Sequence, residues 1–201
     1  MRTIRKSFST QPLCLIEKID RVAVVKLNNR RRMNQINQAF VSQIKSAVAE
    51  ISRNNEIRCI VITGDSRAFS IGGHPPEIMA GTLSEAADSD RGCFLYGLYQ
   101  TPIPVIAAVN GLCLGGGFSM AIQADIILAS DHARFTLPET AIGALPLGGI
   151  SGKLAGLIGK SRTMEIVLGS GELGAEEALE LGIVNKIFPS EDLLGGAIRL
   201  A

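Results

Sequence analysis

The stretch Pro104-Val105-Ile106-Ala107-Ala108-Val109-Asn110-Gly111-Leu112-Cys113-Leu114-Gly115-Gly116-Gly117-Phe118 decides the reading of the fold. The preceding Thr101-Pro102-Ile103-Pro104 ends any helix, because two prolines in three residues remove backbone donors and fix φ. Val105 to Val109 is then an uninterrupted run of small and β-branched apolar residues, the pattern of a strand buried on both faces. Asn110 to Gly117 is a glycine-rich turn, and Phe118 to Gln123 reads as a short helix. Three successive glycines thus lead into a helix start, where free N–H groups and the positive end of the helix dipole gather.

The same grammar recurs on either side. Toward the N-terminus, Cys59 to Thr63 is a second buried strand, stopped by Gly64 and followed by a Gly/Pro-punctuated loop to Pro76. Before it, Ala39, Phe40, Ile44, Ala47, Val48 and Ile51 recur at three- and four-residue steps, so Gln35 to Arg53 is expected to be an amphipathic helix. Leu13 to Lys18 and Val22 to Leu27, separated by Ile19-Asp20-Arg21, open the chain as a hairpin. A weaker helical stretch is expected around Ser84 to Gln100. Toward the C-terminus Asp125 to Ser130 returns as a strand. Helices are expected near Gly148 to Ile158, Ser161 to Leu168 and Ala175 to Leu181, with a strand at Val184 to Phe188 and a helix start at Ser190. Strand, turn and helix follow one another at Leu27, Thr63 and Val109, which favours an α/β architecture. The uneven spacing suits a loose spiral of strand-strand-helix turns, although pattern alone does not separate it from a doubly wound sheet.

Composition narrows the function. The 201 residues suffice for one substantial core, so a single domain over residues 1–201 is expected, with residues 1–10 as a flexible lead. An apolar fraction of 46% with only 4% aromatic residues points to packing by Ile, Val, Leu and Ala. Twenty basic against 19 acidic residues leave a formal charge of +1, so no strong field steers the chain toward nucleic acid or a membrane surface. The expected partner is a small molecule. No apolar run approaches a bilayer-spanning length. Cys14, Cys59, Cys93 and Cys113 lie far apart with no metal spacing or disulfide framework, Asp131-His132 reads as a plain turn, and no metal is expected. Met1 to Thr10 is rich in Arg, Lys and Ser without acids, which allows a mitochondrial address beside the default cytoplasmic one.

Two segments carry the chemistry. In Gly64-Asp65-Ser66-Arg67-Ala68-Phe69-Ser70-Ile71-Gly72-Gly73-His74 a buried strand ends in a loop with paired glycines; the second segment is the triple glycine after Val109. Two backbone donors from separate strand ends, aimed at one point, are what an enolate or thioester oxyanion requires. Together these segments resemble the enoyl-CoA hydratase/isomerase (crotonase) family. Its Ala-Phe-Ser-x-Gly-x-Asp loop matches Ala68 to His74, and its Ile-Ala-x-Val-x-Gly-x-x-x-Gly-Gly-Gly matches Ile106 to Gly117. The likeness runs from the Leu27 to Asn37 turn through Gly159-Lys160-Ser161 and Ala178 to Phe188.

The resemblance implies a crotonase-like spiral, acting on an acyl group carried by coenzyme A or by the phosphopantetheine of an acyl-carrier protein, with no other cofactor. It implies oxyanion donors at the N–H groups of Gly73 and Gly116. It places Arg31, Arg32 and Met33 near the nucleotide end of coenzyme A, and Ala68, Phe69, Ser70 and Ile71 beside the pantetheine. Of the two family glutamates only one is kept, as Glu139 in Leu137-Pro138-Glu139-Thr140; the other position is Ser119. His74, where the family has aspartate, and Ser119 are counted with the substrate-facing residues. Family members usually continue beyond the position of Ala201 with helices that close the pocket and build a trimer, so a trimer-based homo-oligomer is expected, with that C-terminal extension lacking.

Because a serine cannot exchange a proton near neutral pH as a carboxyl group can, one-base chemistry on an enolate, isomerisation or decarboxylation, is favoured over hydration. Hydration without the first glutamate is the alternative. A serine-dependent hydrolase is another, since Gly117-Phe118-Ser119-Met120-Ala121 resembles a nucleophile elbow with its last glycine replaced. A catalytically silent thioester-binding subunit is the last.

Overall fold

A computed structural model describes residues 12–73, 101–146 and 148–201. The expected helix at Ser84 to Gln100, the residues after Gly73 including His74, and the opening ten residues lie outside them. Two sheets carry the fold. The larger has the order β1(Cys14–Ile19), β2(Val22–Leu27), β3(Cys59–Thr63), β5(Val105–Val109), β7(Ile126–Ser130), β10(Lys186–Phe188). Only β1 runs antiparallel to its neighbour; the rest are parallel. The smaller sheet has the order β4(Ala68–Ser70), β6(Leu112–Leu114), β8(Arg134–Thr136), β9(Glu172–Gly174).

Each of β3, β5 and β7 continues, after a short corner, into a strand of the second sheet, and this is the spiral of strand-strand-helix turns. The corners stack. Leu112 N–H donates to Arg67 O at 3.0 Å, and Arg134 N–H to Gly111 O at 3.1 Å, so each turn of the spiral registers on the one before. The approach leaves no room for side chains: a Cβ on Gly111 would lie 2.3 Å from Arg67 O.

Helix α1(Gln38–Ser52) packs Phe40, Ile44, Val48 and Ile51 into the main core. It starts at Asn37, whose side chain accepts from Phe40 N–H, rather than at Gln35 as periodicity suggests, because Gln35 N–H closes the preceding turn on Arg32 O and Ile36 bridges to Gly73. Helix α2(Gly116–Ala121) begins on the glycines themselves, two residues earlier than expected. Helices α3(Ile150–Ile158), α4(Lys160–Gly169), α5(Ala175–Glu180) and α6(Leu193–Leu200) match the expected C-terminal helical segments. Phe40, Phe69, Phe118 and Phe135 are fully buried, each contributing about 1.5–3 kcal/mol of apolar transfer, and the rings of Phe118 and Phe135 lie 5.2 Å apart across the two sheets' shared core.

Sequence reading misses the second sheet. Residues 64–76 and 110–117 read as loops yet contain β4 and β6, and β8 and β9 are not anticipated. All four strands are three residues long, too short for a two-residue period to show.

Candidate active site

The two glycine loops meet at the carboxyl ends of neighbouring strands. A Cβ on Gly72 would lie 2.8 Å from Gly116 N, and one on Gly116 would lie 3.7 Å from Gly73 N. Each expected donor follows a glycine with positive φ, Gly72 at 76° and Gly115 at 52°, conformations that side chains rarely adopt. Gly116 is the first residue of α2, so its N–H has no acceptor within the helix. Gly73 N–H donates to no backbone acceptor among the described residues. Among the described residues the two N–H groups therefore lie side by side with no backbone acceptor.

Buried polar groups hold the first loop. Asn34, fully buried with φ 55°, donates from Nδ2 to Ala68 O and Phe69 O at 3.2 and 3.0 Å, while its Oδ1 accepts from Asn29 N–H at 2.9 Å. Ser70 Oγ donates to Asn34 O at 2.8 Å and accepts from Gly72 N–H at 3.2 Å. Ile71 N–H reaches Met33 O, and Ile36 N–H reaches Gly72 O. The turn at residues 29–36 is thereby tied to the Gly73 loop along its whole length. Sequence reasoning does not single out Asn34; its only signal is an asparagine in a turn between two apolar runs.

The second loop is held by contact with the first. A Cβ on Gly117 would fall 2.2 Å from Ser70 O, so only glycine lets α2 seat on β4. Gly115 N–H donates to Thr136 O, which ties the loop to β8.

Beyond β8 the chain passes through fully buried Leu137 and half-buried Pro138 into a 3-10 turn, Glu139–Ile142. Glu139 is 7% exposed, and its Oε1 would stand 2.6 Å from a Cβ on Gly115, so the carboxyl lies against the residue preceding the Gly116 donor. Its Oε2 is buried and, among the described residues, has no hydrogen-bond partner. Burial raises the carboxyl's pKa above the ordinary glutamate range, with its own backbone N–H opposing. Among the described residues no charged side chain contributes to that shift. A carboxyl oxygen and two N–H groups that have no partner among the described residues suit proton exchange at a carbon next to a carbonyl whose oxygen the N–H groups hold.

The other expected residues fall in distinct places. Arg31 and Arg32 are exposed on the 3-10 turn Arg30–Arg32, and Met33 is half-buried in the left-handed conformation that ends it. Arg67, absent from the sequence-based set, donates through Nη2 to Arg30 O at 2.6 Å and pins this turn. Of Ala68 to Ile71, expected beside the pantetheine, Ala68, Phe69 and Ser70 are fully buried and Ile71 is partly exposed. The other three face inward because β4 is a strand of the second sheet rather than a loop. His74 lies outside the described residues.

Ser119 is fully buried in α2. His132, the described histidine, is exposed; its Nδ1 faces Asp131 and its Nε2 faces Ser66 O, both at 3.1 Å, so its ring is committed away from Ser119. A serine–histidine hydrolase finds no support in that arrangement. Among the described residues no three His, Cys, Asp or Glu side chains cluster as metal ligands, and no helix is long and apolar enough to cross a membrane.

Residues 17–201 match the family model described as enoyl-CoA hydratase/isomerase. A probable mitochondrial enoyl-CoA hydratase of Dictyostelium discoideum is 38% identical over 185 residues, covering 92% of this chain and 67% of the relative. The 2,3-dehydroadipyl-CoA hydratase of Escherichia coli is 32% identical, over 93% of this chain and 73% of its own. The crystal structure of an enoyl-CoA hydratase from Bacillus anthracis superposes with a TM-score of 0.88 at 28% identity, over 94% of this chain and 74% of that one.

Proposed function

Since the chain belongs to the enoyl-CoA hydratase/isomerase family, and so to a family of acyl-CoA-acting enzymes, we propose that it adds water to a 2-enoyl-CoA thioester with Glu139 as the single acid/base. The observation that carries this reading is the meeting of the Gly73 and Gly116 N–H groups beside a buried carboxyl with an unpartnered oxygen. The names of the relatives support hydration over the one-base isomerisation or decarboxylation that the sequence alone favours.

The chemistry closes with one carboxylate. Ionised Glu139 takes a proton from water as the hydroxide oxygen bonds to Cβ; the Cα–Cβ π electrons move onto the thioester oxygen, and the enolate is held by Gly73 and Gly116 N–H. The protonated Glu139 then delivers the same proton to Cα and returns to its starting state. Water is consumed and nothing else changes. This reading assigns the exposed Arg31 and Arg32 to phosphate groups at the nucleotide end of the carrier, with Met33 beside them. His74, next to the Gly73 donor, and Ser119 are assigned to the acyl side.

One observation favours the second reading, isomerisation or decarboxylation: Ser119 offers no second carboxyl to hold the water. Incubation with 2-enoyl, 3-enoyl and β-carboxylated CoA and carrier-linked thioesters, followed by mass spectrometry, separates them. Gain of one water supports hydration. Unchanged mass with an altered chromophore, or loss of carbon dioxide, overturns it in favour of the second reading, and free acid would restore Ser119 as a nucleophile. A trimer-based homo-oligomer and a cytoplasmic or, in keeping with the mitochondrial relative, matrix location complete the proposal.

A further inference from the structure

Thr140 directly follows Glu139 and takes no part in the proton transfer itself. Thr140 Oγ1 donates to Val167 O at 2.8 Å, at the end of α4. Since that hydroxyl's one proton is used, its 2.8 Å contact with Ser170 Oγ runs the other way, with Ser170 donating. The result is a directed chain, Ser170 to Thr140 to Val167 O, between the turn that carries Glu139 and the C-terminus of a ten-residue helix. Ser170 stands there at φ 49°, a left-handed position at which glycine would be the relaxed choice. A strained serine retained for its hydroxyl fits a clasp.

Glu139 has no comparable restraint of its own. Its Oε2 has no partner among the described residues, and the turn is otherwise held by short backbone bonds such as Ala144 N–H to Glu139 O. We propose that Thr140 is a positioning residue: the Ser170–Thr140–Val167 clasp fixes the 3-10 turn so that the Glu139 carboxyl stays against Gly115, beside the Gly116 donor. Thr140 touches no reacting atom and acts through its neighbour. The proposal rests on Glu139 being the acid/base, and its test includes a measurement made without turnover.

The test compares the full chain with Thr140→Val, which keeps the shape and loses the hydroxyl, Thr140→Ser, which restores it, and Ser170→Gly, which removes the second hydroxyl while relaxing the backbone. With a short 2-enoyl-CoA, Thr140→Val should lose kcat by a factor of order 10 to 100 while KM moves little, since a carboxyl displaced by a fraction of an ångström to an ångström misses its proton transfer. The acid limb of its kcat/KM profile should move to lower pH as the carboxyl gains water. Thr140→Ser should recover both. Ser170→Gly should show the same changes in smaller degree with an undiminished melting temperature.

Independently of any reaction, carbon-13 NMR titration of the labelled glutamate carboxyls, with Glu139 assigned by Glu139→Gln, should show its pKa falling toward the ordinary value in Thr140→Val. An unmoved titration in a folded Thr140→Val variant overturns the clasp, as does failure of Thr140→Ser to restore the wild-type profile. Should Thr140→Val fail to fold, an unmoved titration and rate in Ser170→Gly overturns it alone. Wild-type protein that leaves every enoyl-CoA unchanged while the titration shifts as expected would sink the hydratase reading and leave the clasp standing.

Discussion

Gly116 is where one backbone donor can be removed with little else disturbed. It is the first residue of α2, so a proline there forfeits no helical hydrogen bond, and φ at this position is not in the left-handed region. Gly115, having no Cβ, eases the restriction that proline places on its predecessor. A Cβ at 116 would meet Ile36 Cδ1 at 3.4 Å, Gly72 Cα at 3.6 Å and Gly73 N at 3.7 Å, which are ordinary contacts. Gly116→Ala therefore keeps both shape and N–H, whereas Gly116→Pro removes the N–H. Loss of one oxyanion donor costs roughly 10²–10³ in kcat, or about 2.7–4 kcal/mol of transition-state stabilisation. The assay is the loss of the conjugated enoyl-thioester absorbance, with circular dichroism and a thermal melt to show that both variants fold. Gly116→Pro should fall by that factor and Gly116→Ala by far less. A folded proline variant within tenfold of wild type, or an alanine variant as impaired as the proline one, would refute the oxyanion assignment.

Other outcomes follow from the same geometry. Glu139→Gln should lose activity by a factor of order 10² or more. Because the folded carboxyl's pKa is raised by burial, its contribution to stability is present below the unfolded pKa and is lost as pH rises through the folded one; Glu139→Gln should thus match wild type in acid and melt higher near neutrality. Equal melting curves at neutral pH would contradict the buried charge. Gly117→Ala forces a Cβ to 2.2 Å from Ser70 O, a backbone atom, and should cost about 3 kcal/mol, lowering the melting temperature by roughly 6–12 °C. A melt within a degree of wild type would mean that α2 can shift away from β4. Ser119→Glu puts a carboxyl at a fully buried position of α2; hydration should speed up while thermal stability falls, and a slower enzyme would show that the single-carboxylate route needs the smaller serine.

How far the sequence carries can be traced residue by residue. Val105 to Val109 is legible because five apolar residues between prolines and Asn-Gly leave no alternative to a buried strand, and Cys59 to Thr63 is legible for the same reason. The two glycine loops are legible because glycine pairs at strand ends have a backbone purpose, here the positive φ of Gly72 and Gly115. Ala68 to Ser70 is not, since three residues offer no period, and what reads as loop is a strand whose three residues are buried. Asn34 and Thr140 are hidden for another reason. Each is a common turn residue, yet the Asn34 amide donates to carbonyls 34 and 35 positions away and the Thr140 hydroxyl meets partners 27 and 30 positions away, and no local pattern distinguishes a hydroxyl or amide that faces water from one that clasps a distant carbonyl.

That difference separates two kinds of information in this chain. The donors depend on local backbone conformation, which glycine encodes where it stands. The aim of those donors and of the Glu139 carboxyl depends on which turns the spiral stacks together, because Gly72 meets Gly116 and Gly115 meets Glu139 only after β4, β6 and β8 have registered side by side. The three-residue strands that the sequence hides are therefore what brings two glycine loops and one buried glutamate together: without the second sheet each corner would still carry its N–H groups or its carboxyl, but Gly72 would not meet Gly116, nor Gly115 meet Glu139.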